Sequence, residues 1–357
     1  MKKMIYGCLV FLLLTGCSAH FQYLWHVSYN QMGLLMKKTS IKKALKKYSF
    51  NEEQKKKLQL VLEIKTFARE KLKLDIDKGL YSSYVHLERP YVSYLLRVSP
   101  VYELTAYKWD FPIVGSFPYK GFFDKDKMEQ AAASFPEEEY DVSIRGVRAY
   151  STLGWFNDPI LSTMFFYEET DFVVTVFHEL MHTVLFFKDH VDFNERFAEF
   201  VGRQAALLFY LDKEGQESET VQRMLAEWED ELLFSSFMVS EYEMLEKWYA
   251  EHKGEINREM KQERLQEIQE RFRVEIQVNL NTNRYDYFSD VELNNAQLLS
   301  YRSYNYNMAE FEKLFESSLI NKDIKAFVEY CAQFRKEQDP EAAISQAIAQ
   351  QEHLPEI

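Results

Sequence analysis

Residues 171–188 read DFVVTVFHELMHTVLFFK, and this apolar stretch is the most informative part of the sequence. Apolar residues cover nearly every face of the helix that it predicts, so the helix should be buried, with Thr170 or Asp171 as its N-cap. It nevertheless contains two histidines and a glutamate. Burying ionisable side chains is costly unless a partner such as a divalent cation compensates.

The three ionisable residues have the spacing of the H-E-x-x-H motif. His178 and His182 are four residues apart, lie on one helix face and can therefore ligate one metal ion. Glu179 is rotated by about 100° from His178, so its carboxylate can reach a water at that ion without joining the ligands. The motif predicts one zinc ion on the two histidines, with Glu179 as general base for hydrolysis.

A catalytic zinc ion needs a third protein ligand. The candidates are Glu195, separated from His182 by twelve residues, and Glu199, one turn later on a second predicted helix that Asp192 would cap. Glu195 could instead form a capping box with Asp192. Glu199 could orient a ligating histidine through its other ring nitrogen, as could Asp189. The chemistry alone leaves Glu195 and Glu199 equally open as the ligand.

Elsewhere the sequence predicts a mainly helical α+β fold with a small sheet before the metal-binding helix. Helical spacing covers Phe21–Met36 and Glu52–Leu72, the second capped by Asn51, and charged residues over 220–275 indicate one or two long helices. β-branched and aromatic residues predict three strands, which are Tyr91–Val98, Val101–Trp109 and Tyr140–Ala149.

The first residues have the features of a bacterial lipoprotein signal. Two lysines precede the apolar run Met4–Leu14, which is too short to span a bilayer, and Leu14–Cys17 (LTGC) resembles a lipobox. Residues 1–16 are therefore expected to be removed, and Cys17 is expected to carry lipid that anchors the exported protein to a cell-envelope membrane. An ordinary secretory signal with a chance cysteine is the alternative.

Residues 17–357 are expected to form a single domain, with N-terminal helices over about 20–75 and a C-terminal helical part over about 216–357. No Pro-rich or Gly/Ser-rich linker divides this part of the chain. The formal net charge of −13 argues against nucleic-acid binding, which needs a basic surface. With Cys17 lipidated, Cys331 would have no partner for an internal disulfide.

Several motifs resemble those of one bacterial family, the putative (predicted) aminopeptidases. These motifs are YSTLGWFNDPILST (150–163), FHELMH (177–182), FNERFA (193–198), FP (111–112), YKGFF (119–123) and LNNAQL (293–298). The resemblance covers most of residues 20–320, and lipobox-type N termini are common in that family. It implies a zincin-like peptidase domain of the gluzincin type, acting on peptides.

The resemblance also implies the third ligand. In gluzincin aminopeptidases the glutamate of an Asn-Glu-x-Phe-Ala segment is a zinc ligand, and residues 194–198 (NERFA) match that segment. On this basis Glu195 is expected to be the ligand, and Glu199 is expected to contact a ligating histidine and not the metal. The gap between His182 and Glu195 is shorter than in the better-known gluzincins.

Two further roles follow from the zincin resemblance. An edge strand before the metal-binding helix should pair with the peptide substrate, and Arg148–Phe156 is the candidate, with Gly154 allowing close approach of the backbone. A tyrosine or histidine should stabilise the oxyanion. Tyr304 is the first candidate for this role, and Tyr150 is the second.

The family resemblance favours an aminopeptidase. Such an enzyme needs a carboxylate that binds the free α-amine, and no candidate stands in a recognisable motif; the candidates are Glu103, Glu168, Glu169 and Glu199. Two alternatives remain, an endopeptidase of the cell envelope and a non-catalytic zinc-binding lipoprotein. The second would not require Glu179 beside the ligands.

Overall fold

The computed structural model describes residues 33–77, 79–111, 115–149, 157–188, 190–302 and 308–352. Within these ranges the protein is mainly helical with small sheets, which confirms the predicted α+β class. The helices are α1 Ile41–Lys47, α2 Glu52–Glu70, α3 Lys125–Ala132, α4 Glu169–Val184, α5 Val191–Glu214, α6 Glu219–Glu251, α7 Arg258–Arg271, α8 Asn295–Arg302, α9 Met308–Glu316, α10 Ile324–Ala332 and α11 Pro340–Glu352. The strands are β1 Thr39–Ser40, β2 Ser83–Val85, β3 Ser93–Pro100, β4 Trp109–Phe111, β5 Gly115–Phe117, β6 Lys120–Phe122, β7 Tyr140–Val147 and β8 Ile160–Leu161.

The main sheet has β3 at its centre, paired antiparallel with β6 on one side and with β7 on the other. Two of the three predicted strands are thus confirmed with small shifts at their ends. The strand predicted over Val101–Trp109 is wrong for most of its length. The chain turns after Pro100, because Ser99 donates hydrogen bonds to the carbonyls of Glu103 and Thr105, and only Trp109 enters a strand.

Helix α2 begins where the sequence predicts, because Asn51 forms a capping box with Gln54. The helix packs on α4 through the ring of Phe67, whose centroid lies 6.3 Å from that of Phe177. Lys57 of α2 is almost fully buried and donates to the carbonyl oxygens of residues 165 and 167, at 2.9 and 2.6 Å. These bonds hold the segment that leads into α4.

Helix α5 lies against α4 on one side and against the C-terminal helices on the other. Phe197 of α5 stacks on Phe327 of α10 with a centroid separation of 5.9 Å, and its ring also meets Phe311 of α9. Arg196 binds Glu341 of α11. The C-terminal helices therefore pack on the side of α5 that faces away from α4.

One apolar core surrounds α4 and α5. A second joins the long helices α6 and α7, which confirms the helices predicted over 220–275. The LNNAQL segment connects this core to the main sheet. Asn295 is completely buried, donates to the carbonyls of Pro100 and Val101, and accepts a hydrogen bond of 2.9 Å from Tyr249. This motif of the family resemblance is thus explained by packing between the second core and the main sheet.

The N-terminal predictions fall largely outside the described residues. This holds for the signal segment 1–16, for Cys17, and for the helix predicted over Phe21–Met36 except its last turn, 33–36, which is helical. Among the described helices, none has the length and apolar character needed to cross a membrane.

Candidate metal centre

Helix α4 carries the H-E-x-x-H motif at its C-terminal half. The helix begins at Glu169, and its N-cap residue, Glu168, makes no capping hydrogen bond through its side chain. The prediction of Thr170 or Asp171 as N-cap is therefore wrong. Thr170 instead accepts a hydrogen bond from Arg223, and Asp171 pairs with Arg284, so both side chains connect α4 to more distant parts of the chain.

A short connection joins α4 to α5. Asn194 fixes it with two hydrogen bonds to the backbone of Phe187, at 2.7 and 2.8 Å. Helix α5 begins at Val191, and Asp192 lies in its first turn and does not cap it, so that prediction is also wrong. Glu195 is consequently not held in a capping box, and its carboxylate faces α4.

Three side chains of α4 and α5 converge on one point. His178 Nε2 lies 3.1 Å from His182 Nε2, and the carboxylate of Glu195 lies 3.3 Å from the first nitrogen and 3.4 Å from the second. Their possible ligand atoms all lie within 4.8 Å of one another, so this group could hold a metal ion. The short gap between His182 and Glu195 thus does not prevent the two helices from bringing these residues together.

The surroundings of the group fit a cation. His182 is almost fully buried, whereas the Glu195 side chain is 52% exposed, so the group is reached from the Glu195 side. Glu179 is buried, and in the part of the chain that the structure describes its Oε2 has no hydrogen-bond partner. A buried carboxylate oxygen without a partner is unfavourable, and a bound cation with its water would supply one.

Glu199 contacts a different atom from Glu195. Its Oε2 lies 3.2 Å from His178 Nδ1, and its Oε1 accepts a hydrogen bond of 2.6 Å from Arg203. Arg203 also binds Glu231 of α6 at 2.7 Å. Glu199 is therefore placed to orient the His178 ring and not to join the group that could hold a metal.

The electrostatics of the group follow from these contacts. Burial disfavours the charged imidazole of His178, but hydrogen bonds with Glu195 and Glu199 outweigh it and raise the pKa of His178 well above its usual value. Burial likewise opposes the charged form of Glu195, but hydrogen bonds with the two histidines lower its pKa to about 2. A cation here would replace a proton between the imidazoles and keep the carboxylates charged.

Close approach of α4 and α5 depends on Gly202, which the sequence analysis did not single out. A Cβ atom at this position would lie 2.9 Å from the backbone nitrogen of His178 and 3.1 Å from its Cα. A glycine inside a helix is unfavourable by itself, and this was the signal that could have revealed the contact.

Arg203 and Tyr167 were also missed. Arg203 follows Glu199 by one helical turn, so its contact with that carboxylate could have been expected from spacing. Tyr167 precedes α4, and burial raises the pKa of its phenol, with Glu179 among the charges that also raise it. No sequence pattern identifies the electrostatic interaction between Tyr167 and Glu179.

Several predicted site residues lie outside the described residues, namely Asp189, Tyr304, Tyr150, Gly154 and Cys17. The edge strand predicted over Arg148–Phe156 is described only at residues 148 and 149, which follow the end of β7. Among the candidates for binding an amine, Glu169 is held by Lys56 and Tyr210, whereas Glu103 and Glu168 are exposed.

Comparison with known proteins identifies one family. The model of a family described as "Putative aminopeptidase" matches residues 22–344, which is most of the chain and includes α4, α5 and both cores. No curated protein and no solved structure matches significantly.

Proposed function

Because the chain belongs to the putative aminopeptidase family, we propose that it is a zinc-dependent peptidase with a single zincin-like domain. One observation carries the proposal: His178, His182 and Glu195 converge within 4.8 Å of one another, beside the buried carboxylate of Glu179. These three side chains would hold the zinc ion. Two histidines and one glutamate are a ligand set found in catalytic zinc sites, which leave one position for water.

The proposed reaction is hydrolysis of a peptide bond. When bound, zinc would polarise the scissile carbonyl and lower the pKa of a coordinated water. Glu179 accepts the proton of the attacking water and returns it to the leaving amine. Its place in α4, one residue after His178, holds the carboxylate beside the ligands without a flexible loop. Glu199 and Arg203 hold the His178 ring in a fixed orientation.

The oxyanion needs a donor, for which Tyr304 remains the predicted residue and Tyr150 the alternative. Tyr167 is a third candidate, because its phenol interacts electrostatically with Glu179. Its phenol oxygen accepts a hydrogen bond from the backbone N–H of Ala149, which leaves its own proton free to donate.

The assigned roles predict different losses for different substitutions. Glu179→Gln should keep near-normal zinc content and lose hydrolysis, because glutamine preserves the shape of the side chain without its basicity. His178→Ala and His182→Ala should lose both zinc and activity. Zinc analysis of each purified variant beside a peptidase assay measures this, and substantial activity in Glu179→Gln would contradict the mechanism.

Endopeptidase activity is the second candidate. The observation that favours it concerns the amine anchor that an aminopeptidase requires. Of the four predicted anchors, Glu169 is bound to Lys56 and Tyr210 and Glu199 to His178 and Arg203, so only the exposed Glu103 and Glu168 are left for an amine. The family description favours the aminopeptidase, and we retain it as the proposal.

One pair of substrates separates these two activities. An aminopeptidase should lose most of its rate on an N-acetylated peptide, because acetylation removes the charge of the amine and leaves its carboxylate anchor unpaired. With the free peptide it should release residues one at a time, which mass spectrometry of a time course will show. Equal cleavage of both peptides at internal bonds would establish an endopeptidase and leave the zinc site intact.

The proposed location is the surface of a bacterial cell-envelope membrane, with the peptide substrate outside the cytoplasm. The support is the sequence of residues 1–17, in which a positive start and an apolar run precede the LTGC segment. A non-catalytic zinc-binding lipoprotein is disfavoured by the buried Glu179, since a structural site needs no base.

A further inference from the structure

The side chain of Arg148 lies among three aromatic rings, one of which belongs to Tyr167, just before α4. The guanidinium carbon of Arg148 lies 5.4 Å from the ring centroid of Tyr91, 5.9 Å from that of Phe166 and 5.8 Å from that of Tyr167. In the residues that the structure describes, Arg148 Nε is buried without a hydrogen-bond partner, and no salt bridge neutralises the side chain. We call these four residues the arginine cage.

The cage is built by neighbouring parts of the chain. Gly146 of β7 allows the Tyr91 ring to lie against the backbone, since a Cβ atom at that position would come within 2.4 Å of the ring. Thr163 donates a hydrogen bond to the carbonyl oxygen of Arg148. Phe166 is 61% exposed, so this wall of the cage is open to a ligand.

Tyr167 connects the cage to the catalytic base. Its ring is a wall of the cage, and it lies two residues before the start of α4, the helix that carries Glu179. The backbone N–H of Ala149 donates to its phenol oxygen, so the Arg148–Ala149 backbone is tied to the entrance of that helix. The phenol is close enough to both Arg148 and Glu179 to interact electrostatically with each.

The chain has a surplus of acidic residues, so an arginine without a salt bridge within the described ranges is informative. The chain has 56 aspartates and glutamates against 43 lysines and arginines, and many of its described arginines form salt bridges. Stacking on rings covers the faces of a guanidinium but leaves its N–H edge able to donate two parallel hydrogen bonds to a carboxylate. Such an edge, next to a tyrosine that interacts electrostatically with the proposed base, is suited to an anionic group of the substrate.

We propose that Arg148 binds a carboxylate of the peptide substrate, held in the arginine cage beside the bond that is cleaved. The carboxylate is either the C-terminal group of a short peptide or the side chain of an acidic residue near the scissile bond. This inference deepens the proposed peptidase function and rests on it. It makes the enzyme selective for short or acidic peptides.

Two peptide pairs test the proposal and distinguish the two sources of the carboxylate. Trialanine and its C-terminal amide differ in the terminal carboxylate. Ala-Glu-Ala amide and Ala-Gln-Ala amide differ only in the side chain. The full-length zinc-loaded protein should have a kcat/KM at least about tenfold higher on the acidic member of one pair, as expected for a charge-assisted hydrogen bond. In Arg148→Gln this ratio should fall to about one.

Two further variants exclude a general effect of charge or folding. Arg69→Gln removes one positive charge from an exposed position on α2 and should keep the full preference. Arg148→Lys keeps the charge without the planar fork and should keep a smaller preference, and its thermal unfolding should match that of the wild type. If the wild type shows no preference within either peptide pair, the proposal is overturned. It is also overturned if the Arg148→Gln variant retains the preference, or if that variant loses rate equally on all four peptides.

Binding measurements separate this inference from the proposed activity. If the wild type cleaves none of the peptides, the peptidase proposal fails, and calorimetric titration of the same protein with the same four peptides then tests the cage alone. At least about tenfold tighter binding of one acidic member, lost in Arg148→Gln, would uphold the carboxylate site. Equal affinity for all four peptides would overturn it.

Discussion

At the scale of single residues, Glu195 and Glu199 lie one turn apart on α5 and contact different atoms of His178. Glu195 faces Nε2, which is also the nitrogen that faces His182, whereas Glu199 faces Nδ1. A metal held by the two histidines through Nε2 would therefore meet Glu195 directly. Glu199 would act on it only through the imidazole ring.

This difference predicts unequal effects on zinc affinity. Glu195→Ala should weaken zinc binding by more than about 100-fold, because it removes a ligand. Glu199→Ala should weaken it by about 10- to 100-fold, as expected for a residue that orients a ligating histidine. Competition with a chromophoric chelator measures both dissociation constants, with Glu217→Ala, an exposed carboxylate, as the control. If Glu199→Ala binds zinc more weakly than Glu195→Ala does, the assignment of the two residues is reversed.

Spacing on one helix was enough to place His178, Glu179 and His182 together, because the helix repeat fixes their relative directions. It was not enough to choose between Glu195 and Glu199, since a capping box was an equally good use of Glu195. The structure has the Glu195 carboxylate facing the histidines. The ring neighbours of Arg148 come from two other segments, one at Tyr91 and one at residues 166–167, and no local pattern predicts such an encounter.

At the scale of elements, the distance between α4 and α5 controls whether the ligands can meet. Gly202 allows the contact, since its missing Cβ would press on the backbone of His178 and not on a side chain that can move. The effect of a methyl group here is therefore opposite to its effect in an isolated helix, where alanine is favoured over glycine by about 1 kcal/mol.

Gly202→Ala should lower the free energy of unfolding of the metal-free protein by about 1 to 3 kcal/mol, as overpacking does. It should also weaken zinc binding, because Glu195 moves away from the histidines with the rest of α5. Urea unfolding and chelator competition measure the two effects. Gln204→Ala on the same helix is the control and should change neither by much. A more stable Gly202→Ala protein with unaltered zinc affinity would show that the helices tolerate the methyl group.

Element boundaries were predictable where a side chain determines them. Asn51 starts α2 because it caps the helix with Gln54, and both residues can be read from the sequence. Helix α4 begins without any capping side chain, and the boundary there depends on packing with distant parts of the chain. The strand expected over Val101–Trp109 failed for a related reason, since bonds from Ser99 and Asn295 use backbone carbonyls that a strand would have paired.

At the scale of the whole molecule, the sequence predicts lipid attachment at Cys17. Cys17→Ser should abolish labelling by a fatty-acid probe and move the protein from the membrane fraction to the soluble fraction. Cys331→Ala is the control and should label normally, because Cys331 is buried on α10 and burial raises the pKa of its thiol. A wild-type protein that never takes up the probe would rule out the lipobox interpretation.

The fold class could be predicted because apolar periodicity and β-branched segments are local properties of the chain. The relation between the second apolar core and the main sheet could not be predicted, because it depends on buried polar contacts between distant segments. Asn295 is the clearest case: it binds carbonyls of residues 100 and 101, almost two hundred positions earlier. The C-terminal helices behind α5 were likewise expected only as a helical region, and their contact with Phe197 is a result of the structure.

The possible metal ligands come from two helices, so an ion bound by all of them binds the folded chain and not the unfolded one. By mass action, any such ion adds RT ln(1 + [M]/Kd) to the free energy of unfolding, about 4 kcal/mol when its free concentration is a thousand times the dissociation constant. The melting temperature would then rise continuously with the free ion concentration and never reach a plateau. The unfolding transition of this protein would itself report how much of the ion its surroundings supply.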